Sequence, residues 1–366
     1  MADSLFNNRP NHGGNLAWAA QVAGCSPFAL LDFSASISPL GPPASAIAAI
    51  QACLPQLTQY PDPQYTALRQ QLAQHHHLAP DWVLPGNGAA ELLTWAGRDL
   101  AALEATYLLT PAFGDYGRSL RAFAAQPQAI PLPLTAAASG QLDWLTVVAQ
   151  GLQHDPARCG LLLNTPHNPT GLVIPLAVLE TLLSQFQLVV VDEAFMDFVA
   201  PSEQQSLIPQ IHRWPNLVIV RSLTKFYSLP GLRLGYAIAQ PPHLQRWQQW
   251  RDPWSVNALA AAAVTVLQDH DFQHRTWQWL AAARPALFQA LAAIPGLYPL
   301  PGQANYLLVR CDRSVTALQQ TLLQRDRILI RDCLSFPELG DRYFRVAVRL
   351  PAENERLVTA LRQALV

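Results

Sequence analysis

Leu217-Val-Ile-Val-Arg-Ser-Leu-Thr-Lys225-Phe-Tyr-Ser-Leu-Pro-Gly-Leu-Arg233-Leu-Gly-Tyr236 is the stretch on which the reading turns. It opens as a β-branched run ending at Arg221, then passes into hydroxyl residues, one amine and a Pro-Gly turn. That is the pattern of a buried strand delivering functional groups to a loop. Two upstream segments repeat it. Cys159–Leu163 is a short apolar strand ending in Asn164-Thr-Pro-His-Asn-Pro-Thr-Gly171, and Leu188–Val191 is a β-branched run ending at Asp192. Ala89–Leu103, apolar at helical spacing, follows the turn Pro85-Gly-Asn-Gly88. Strand, loop and helix in alternation predict an α/β fold with a mainly parallel sheet and functional groups at the strand ends.

From about Asp252 the character changes. Trp254–Asp269 and Phe272–Ile294 predict long Ala-rich helices, followed by strands at Tyr306–Val309, Ile328–Arg331 and Phe344–Val348 and a closing helix over Asn354–Leu365. The expected organisation is a large α/β domain over residues 45–250 and a smaller α+β domain made of 1–44 and 251–366. A chain of 366 residues that is 50% hydrophobic has ample material for a core and is not a disordered protein.

With 24 basic and 25 acidic residues the net charge is -1, which excludes a global basic field for nucleic acid or anionic lipid. Apolar stretches such as Ala258–Val266 fall short of the ~20 residues that span a bilayer. Five cysteines, odd in number and without a C-x-x-C pair, suggest free thiols in a reducing compartment. The first ten residues lack the basic start and apolar run of a secretory signal, so a cytoplasmic location is expected. The run His75-His-His77 has no second ligand cluster and reads as solvated surface, not as a metal site.

Of the 24 basic residues 23 are arginine, and Lys225 is the sole lysine. A guanidinium stays protonated and cannot act as a nucleophilic amine; a site that forms an imine with a carbonyl therefore could not accept the exchange. Ser222, Thr224 and Arg233 around it suit a phosphate, so the set matches an aldehyde cofactor bearing one. Asp192, at a strand end, can hold a ring nitrogen protonated or cap the following turn. Asn168, in His167-Asn-Pro-Thr-Gly171, can donate to a phenolic oxygen or serve a plain Asn-Pro turn. The backbone N–H groups after Gly86-Asn-Gly offer an anion site at a helix N-terminus, or form an ordinary glycine turn. Phe113, in Pro111-Ala-Phe-Gly-Asp-Tyr116, can lie against a flat ring or be simple core.

Taken in order, Asn168, Asp192, Lys225 and Arg233 resemble the pyridoxal-phosphate enzymes of the aspartate-aminotransferase fold, and the resemblance runs over almost the whole chain. It implies pyridoxal 5'-phosphate held by Lys225 through an imine, Asp192 at the pyridine nitrogen, Asn168 at the ring's 3-oxygen and Phe113 stacked on the ring. Ala89, Ala90, Ser222, Thr224 and Arg233 would hold the phosphate. Tyr60, in Tyr60-Pro-Asp-Pro-Gln, resembles the tyrosine that reaches the phosphate across a dimer interface, implying a homodimer.

Within this fold the chain is similar to two sister families, the histidinol-phosphate aminotransferases and the threonine-phosphate decarboxylases of cobalamin synthesis. His12-Gly-Gly-Asn15, Leu31-Asp-Phe-Ser-Ala-Ser-Ile-Ser-Pro-Leu-Gly41, Asp192-Glu-Ala-Phe-Met-Asp-Phe198 and Pro253-Trp-Ser-Val-Asn257 look like the decarboxylases. Phe195 stands where the aminotransferases often carry a tyrosine that bonds the ring oxygen, so Asn168 would act there alone. Arg345 and Arg349, four apart in Phe344-Arg-Val-Ala-Val-Arg349, would share one side of a strand. Arg345 resembles the arginine that clamps the substrate carboxylate, Arg331 the one that meets the substrate's phosphate, and Arg349 reads as solvent-facing. His12 and Asn15 are further candidates for substrate binding. The resemblance implies decarboxylation of L-threonine O-3-phosphate, with transamination of a histidinol-phosphate type as the alternative.

Overall fold

The computed structural model describes residues 9–365. Its centre is a seven-stranded sheet: β2 (Val83–Asn87), β3 (Thr106–Thr110), β4 (Gln128–Pro131), β5 (Gly160–Asn164), β6 (Leu188–Asp192), β7 (Leu217–Ser222) and β8 (Leu234–Ala239), a first short strand β1 (Leu31–Asp32) lying elsewhere. The order is β2-β8-β7-β6-β5-β3-β4. Strands β7, β6, β5, β3 and β4 run parallel, while β8 is antiparallel to both its neighbours. The mainly parallel α/β expectation therefore holds.

Apolar residues alternate between the two faces of this sheet. Val189, Val191 and Ile219 join the core on one side, whereas Val190, Val218 and Val220 join Leu92, Leu93, Ala96, Leu100 and Trp247 on the other. A strand covered on both faces needs such an unbroken apolar run. The helix Gly88–Ala101 buries Leu92, Leu93, Ala96 and Leu100 along one stripe, and each leucine taken out of water contributes about 1.5–3 kcal/mol.

Two smaller sheets are built from the first and last parts of the chain. β9 (Leu297–Pro299), β10 (Tyr306–Cys311), β12 (Arg331–Asp332) and β13 (Tyr343–Ala347) form an antiparallel sheet in the order β12-β13-β10-β9. β11 (Ile328–Leu329) pairs in parallel with β1. The single strand expected over Ile328–Arg331 is thus divided at Ile330, where the chain changes sheets, and the change sets Arg331 directly opposite Arg345 on β13. No helix among the described residues is long and apolar enough to cross a membrane.

Three expectations need correction. The long helix over Trp254–Asp269 is a short helix, Ala258–Ala262, that tightens into a 3-10 stretch over Ala263–Gln268. Asn257 starts it by accepting from the Ala260 N–H, and Asp269 ends it by capping the next helix, His270–Ala292. The run Val264-Thr-Val266 between them is β-branched, which disfavours continued α-helix. Arg349 does not share a strand with Arg345, because β13 ends at Ala347. Nor does it face solvent: it donates to Asp32 O at 3.0 Å and to Glu353 Oε1 at 2.8 Å. Finally, His76 is no solvated surface group, since its Nε2 lies 2.8 Å from the Tyr236 hydroxyl. Burial, then Arg221 and the adjacent histidines, push its pKa down to about 2, so the imidazole is neutral.

Candidate active site

In-register pairing of β5 and β6 brings Asn164 beside Asp192, and Asp192 pairs with Val220 just before Arg221 and Ser222 on β7. These strand ends open onto a cavity of about 390 Å³ lined by Lys225, Asp192, Asn168, Phe113, Thr224, Arg233, Arg331, Arg345 and His12. Residues from seven separate stretches, predicted apart in sequence, thus share one cavity.

Lys225 sits in the loop after β7. Loss of hydration lowers its pKa to about 8, against the pull of Asp192 and with help from Arg233 and Arg345. A neutral amine is therefore within reach near physiological pH, as nucleophilic attack on a carbonyl requires. Its Nζ lies 4.9 Å from the centre of the Phe195 ring. Asp192, 7% exposed, accepts from the Tyr116 hydroxyl at 2.8 Å and from the Ala194 N–H at 2.9 Å. Burial raises its pKa, while Lys225 and these two donors oppose the rise.

Several residues expected to hold a phosphate meet at the start of the helix Gly88–Ala101. The Asn87 side chain makes no cap bond there; Glu91 Oε2 accepts from the Asn87 N–H at 2.6 Å, which leaves the N–H groups of the first turn itself at the positive end of the dipole. Gly88, with φ +72°, is the close approach: a Cβ there would lie 2.5 Å from Arg233 Nη2. Gly235 on β8 is a second one, packed against the Ala89 nitrogen. Ser222 and Thr224 share a hydroxyl contact of 2.8 Å. Thr224 and Arg233 line the cavity, whereas the predicted Ala89, Ala90 and Ser222 do not.

The opposite wall carries guanidinium groups. Arg345 donates from Nη1 to Asn168 Oδ1 at 2.6 Å and from Nη2 to Ser34 O at 3.4 Å, and its Nε has no partner. The first of these bonds turns the Asn168 amide so that its NH₂ remains free to donate, as a phenolic oxygen would need. Arg331 donates to Pro10 O at 3.3 Å, Asn11 O at 2.6 Å and Ser335 Oγ at 2.6 Å. Three of its five N–H donors are engaged, leaving two. His12 hangs over Phe113, ring centres 5.6 Å apart; burial and the Arg331 charge lower its pKa. Its segment is anchored at Gly14, whose N–H donates to Ser34 Oγ at 2.8 Å.

Asn15 and Tyr60 do not line the cavity either. Asn15 instead caps the helix Leu16–Ala23, its side chain accepting from the Trp18 N–H; that short polar chain is the ordinary choice for an N-cap. Tyr60 is 80% exposed and lies against Trp254, ring centres 4.7 Å apart. Sequence reasoning also missed Tyr116 and the buried ion cluster of Arg221, Glu193 and Asp197. Arg221 Nε lies 2.7 Å from Glu193 Oε2 and its Nη1 pairs with Asp197 Oδ1 at 2.5 Å. The available signal was the alternation of faces: next to Asp192 and Ser222, Glu193 and Arg221 must point away from the cavity.

The family model for aminotransferase class I and II matches residues 29–361. The chain is 42% identical to the threonine-phosphate decarboxylase of Salmonella typhimurium, over 99% of this chain and 98% of that one. It is 34% identical to the histidinol-phosphate aminotransferase of Symbiobacterium thermophilum, over 92% and 91%. Among solved structures, the histidinol-phosphate aminotransferase of Sinorhizobium meliloti in complex with pyridoxal-5'-phosphate superposes with a TM-score of 0.82 at 23% identity, covering 99% of this chain and 96% of that one. That last likeness speaks to the fold.

Proposed function

This chain belongs to the class I and II aminotransferases, and from that premise we propose that it decarboxylates L-threonine O-3-phosphate to (R)-1-amino-2-propanol O-2-phosphate in cobalamin biosynthesis, using pyridoxal 5'-phosphate. The observation that carries the reading is the 42% identity over 99% of the chain to a threonine-phosphate decarboxylase, against 34% for a histidinol-phosphate aminotransferase. Phe195 beside the Lys225 amine, in place of a hydroxyl-bearing ring, supports the same choice.

The residues present fit the cofactor. A partly desolvated amine, a buried carboxylate with two protein donors, a free amide NH₂ and the first-turn N–H groups of a helix beside Arg233 match its aldehyde, ring nitrogen, ring oxygen and phosphate in turn. When bound, pyridoxal 5'-phosphate supplies an electron sink conjugated to the substrate's Cα. Lys225 would hold the aldehyde carbon and, once displaced by the substrate amine, would be placed to return a proton at Cα. Asp192 would keep the ring nitrogen protonated, and Phe113 would cover the ring face. Arg345, with its buried unpartnered Nε, would clamp the substrate carboxylate. Arg331, directly across from it on β12, would hold the phosphate at the other end of the substrate, with His12 above. Exclusion of water by the His12 segment strengthens each of these contacts.

The same proposal makes the chain a cytoplasmic homodimer whose large unit, residues 45–250, carries the cofactor. Tyr60, exposed and outside its own cavity, would then serve the phosphate of the partner. The test is direct: purified protein with pyridoxal 5'-phosphate and threonine phosphate but no keto acid should release CO₂ over many turnovers. Turnover that depends on 2-oxoglutarate overturns the reading in favour of transamination.

A further inference from the structure

Tyr116 touches neither end of the substrate placed above, yet its phenol is one of two protein donors to Asp192. It lies three residues after Phe113 in the helix Gly114–Arg121, is 1% exposed, and sets its ring edge-on to Phe113 at 5.6 Å between centres. Its hydroxyl donates to Asp192 Oδ2 at 2.8 Å, while the Ala194 N–H donates to Oδ1 at 2.9 Å. One donor on each oxygen fixes the rotation of the carboxylate, and each oxygen keeps a lone pair for a group in the cavity. Burial and then the Asp192 charge hold the phenol protonated, so it serves as a donor.

We propose that Tyr116 is a positioning residue, which through Asp192 holds the carboxylate ionised and aimed at the ring nitrogen of the cofactor. The inference rests on the proposed use of pyridoxal 5'-phosphate. A carboxylate in a buried setting takes up a proton readily unless hydrogen bonds stabilise its charge, and a protonated Asp192 would no longer keep the ring nitrogen charged. The Tyr116 ring also fills the core beside Leu92 and Leu120, so a purely packing role is the competing explanation. The two roles separate because phenylalanine keeps the ring and removes only the hydroxyl.

The experiment compares the parent and Tyr116→Phe as cofactor-free proteins, titrated by fluorescence with pyridoxal 5'-phosphate and with its analogue carrying carbon in place of the ring nitrogen. Tyr116→Phe should weaken binding of pyridoxal 5'-phosphate about ten-fold, the scale of one hydrogen bond to a charged group. It should leave the affinity for the analogue, which offers Asp192 no ring nitrogen, unchanged. Equal losses for both ligands would make Tyr116 a packing residue, and no loss for either would remove it from the site; each result overturns the proposal. Failure of the parent itself to bind pyridoxal 5'-phosphate would overturn the proposed function as well, and is read separately from the variant.

Discussion

Gly235→Ala adds one methyl group where β8 passes beneath the start of the helix Gly88–Ala101. The new carbon would lie 2.6 Å from the Ala89 nitrogen, 2.8 Å from Arg221 O and 2.9 Å from the Gly88 carbonyl carbon. Ordinary contact begins near 3.4 Å, so the Ala89 amide must retreat by roughly 0.8 Å (3.4 less 2.6). All three obstructing atoms are backbone, and none can swing aside as the tip of a side chain would. Overpacking of this kind costs about 1–3 kcal/mol. The same displacement stretches a hydrogen bond from about 2.9 Å to about 3.7 Å, beyond useful length. If the first turn of this helix holds the cofactor phosphate, one donor to a charged group is lost and affinity falls about ten-fold or more. Fluorescence titration of the cofactor-free protein with pyridoxal 5'-phosphate measures it, and Gly231→Ala, which meets nothing within 4 Å, is the matched control. Binding by Gly235→Ala as tight as the parent's would refute the assignment of the phosphate to this helix.

The amine of Lys225, lowered to about 8 by burial, should make capture of the cofactor faster as pH rises through that value. The growth rate of the visible absorption band in cofactor-free protein against pH gives the midpoint, and one near the unperturbed 10.5 contradicts the desolvated site. Lys225→Arg should abolish the band altogether. Arg345→Gln removes a bidentate clamp for a carboxylate, and kcat/KM for threonine phosphate should drop about 10- to 100-fold; a change confined to kcat would argue against carboxylate binding. For His76 the native pKa of about 2 lies below the ordinary 6.5. The unfolded chain thus takes up a proton as pH falls below about 6.5 that the native chain refuses, and stability declines across that window. His76→Gln should flatten this acid slope in denaturant titrations; an unchanged slope would show that burial does not hold the imidazole neutral.

Much of the site was legible because its chemistry is concentrated in residue type and strand-end position. Lys225 stands out as the sole lysine of the chain, and Asp192 and Asn168 each follow an apolar strand whose end any α/β sheet exposes. The less legible groups owe their roles to chain crossings. Arg331 faces Arg345 only because the chain changes sheets at Ile330, a switch that a run of apolar residues does not announce. Tyr116 and Asp192 are 76 residues apart and meet in the core, and Asn15, which looks like a ligand in His12-Gly-Gly-Asn15, is consumed by the cap of its own helix.

The amino-acid order by itself determined the alternation of strands and helices and the one position able to form an imine. Those depend on local periodicity and on the chemistry of a single side chain, which no folding can alter. Which donors surround each charge was decided only by the tertiary structure. Orientation of a buried carboxylate or guanidinium is set by partners arriving from distant strands, and burial, which tunes proton affinity, exists only once those strands have packed.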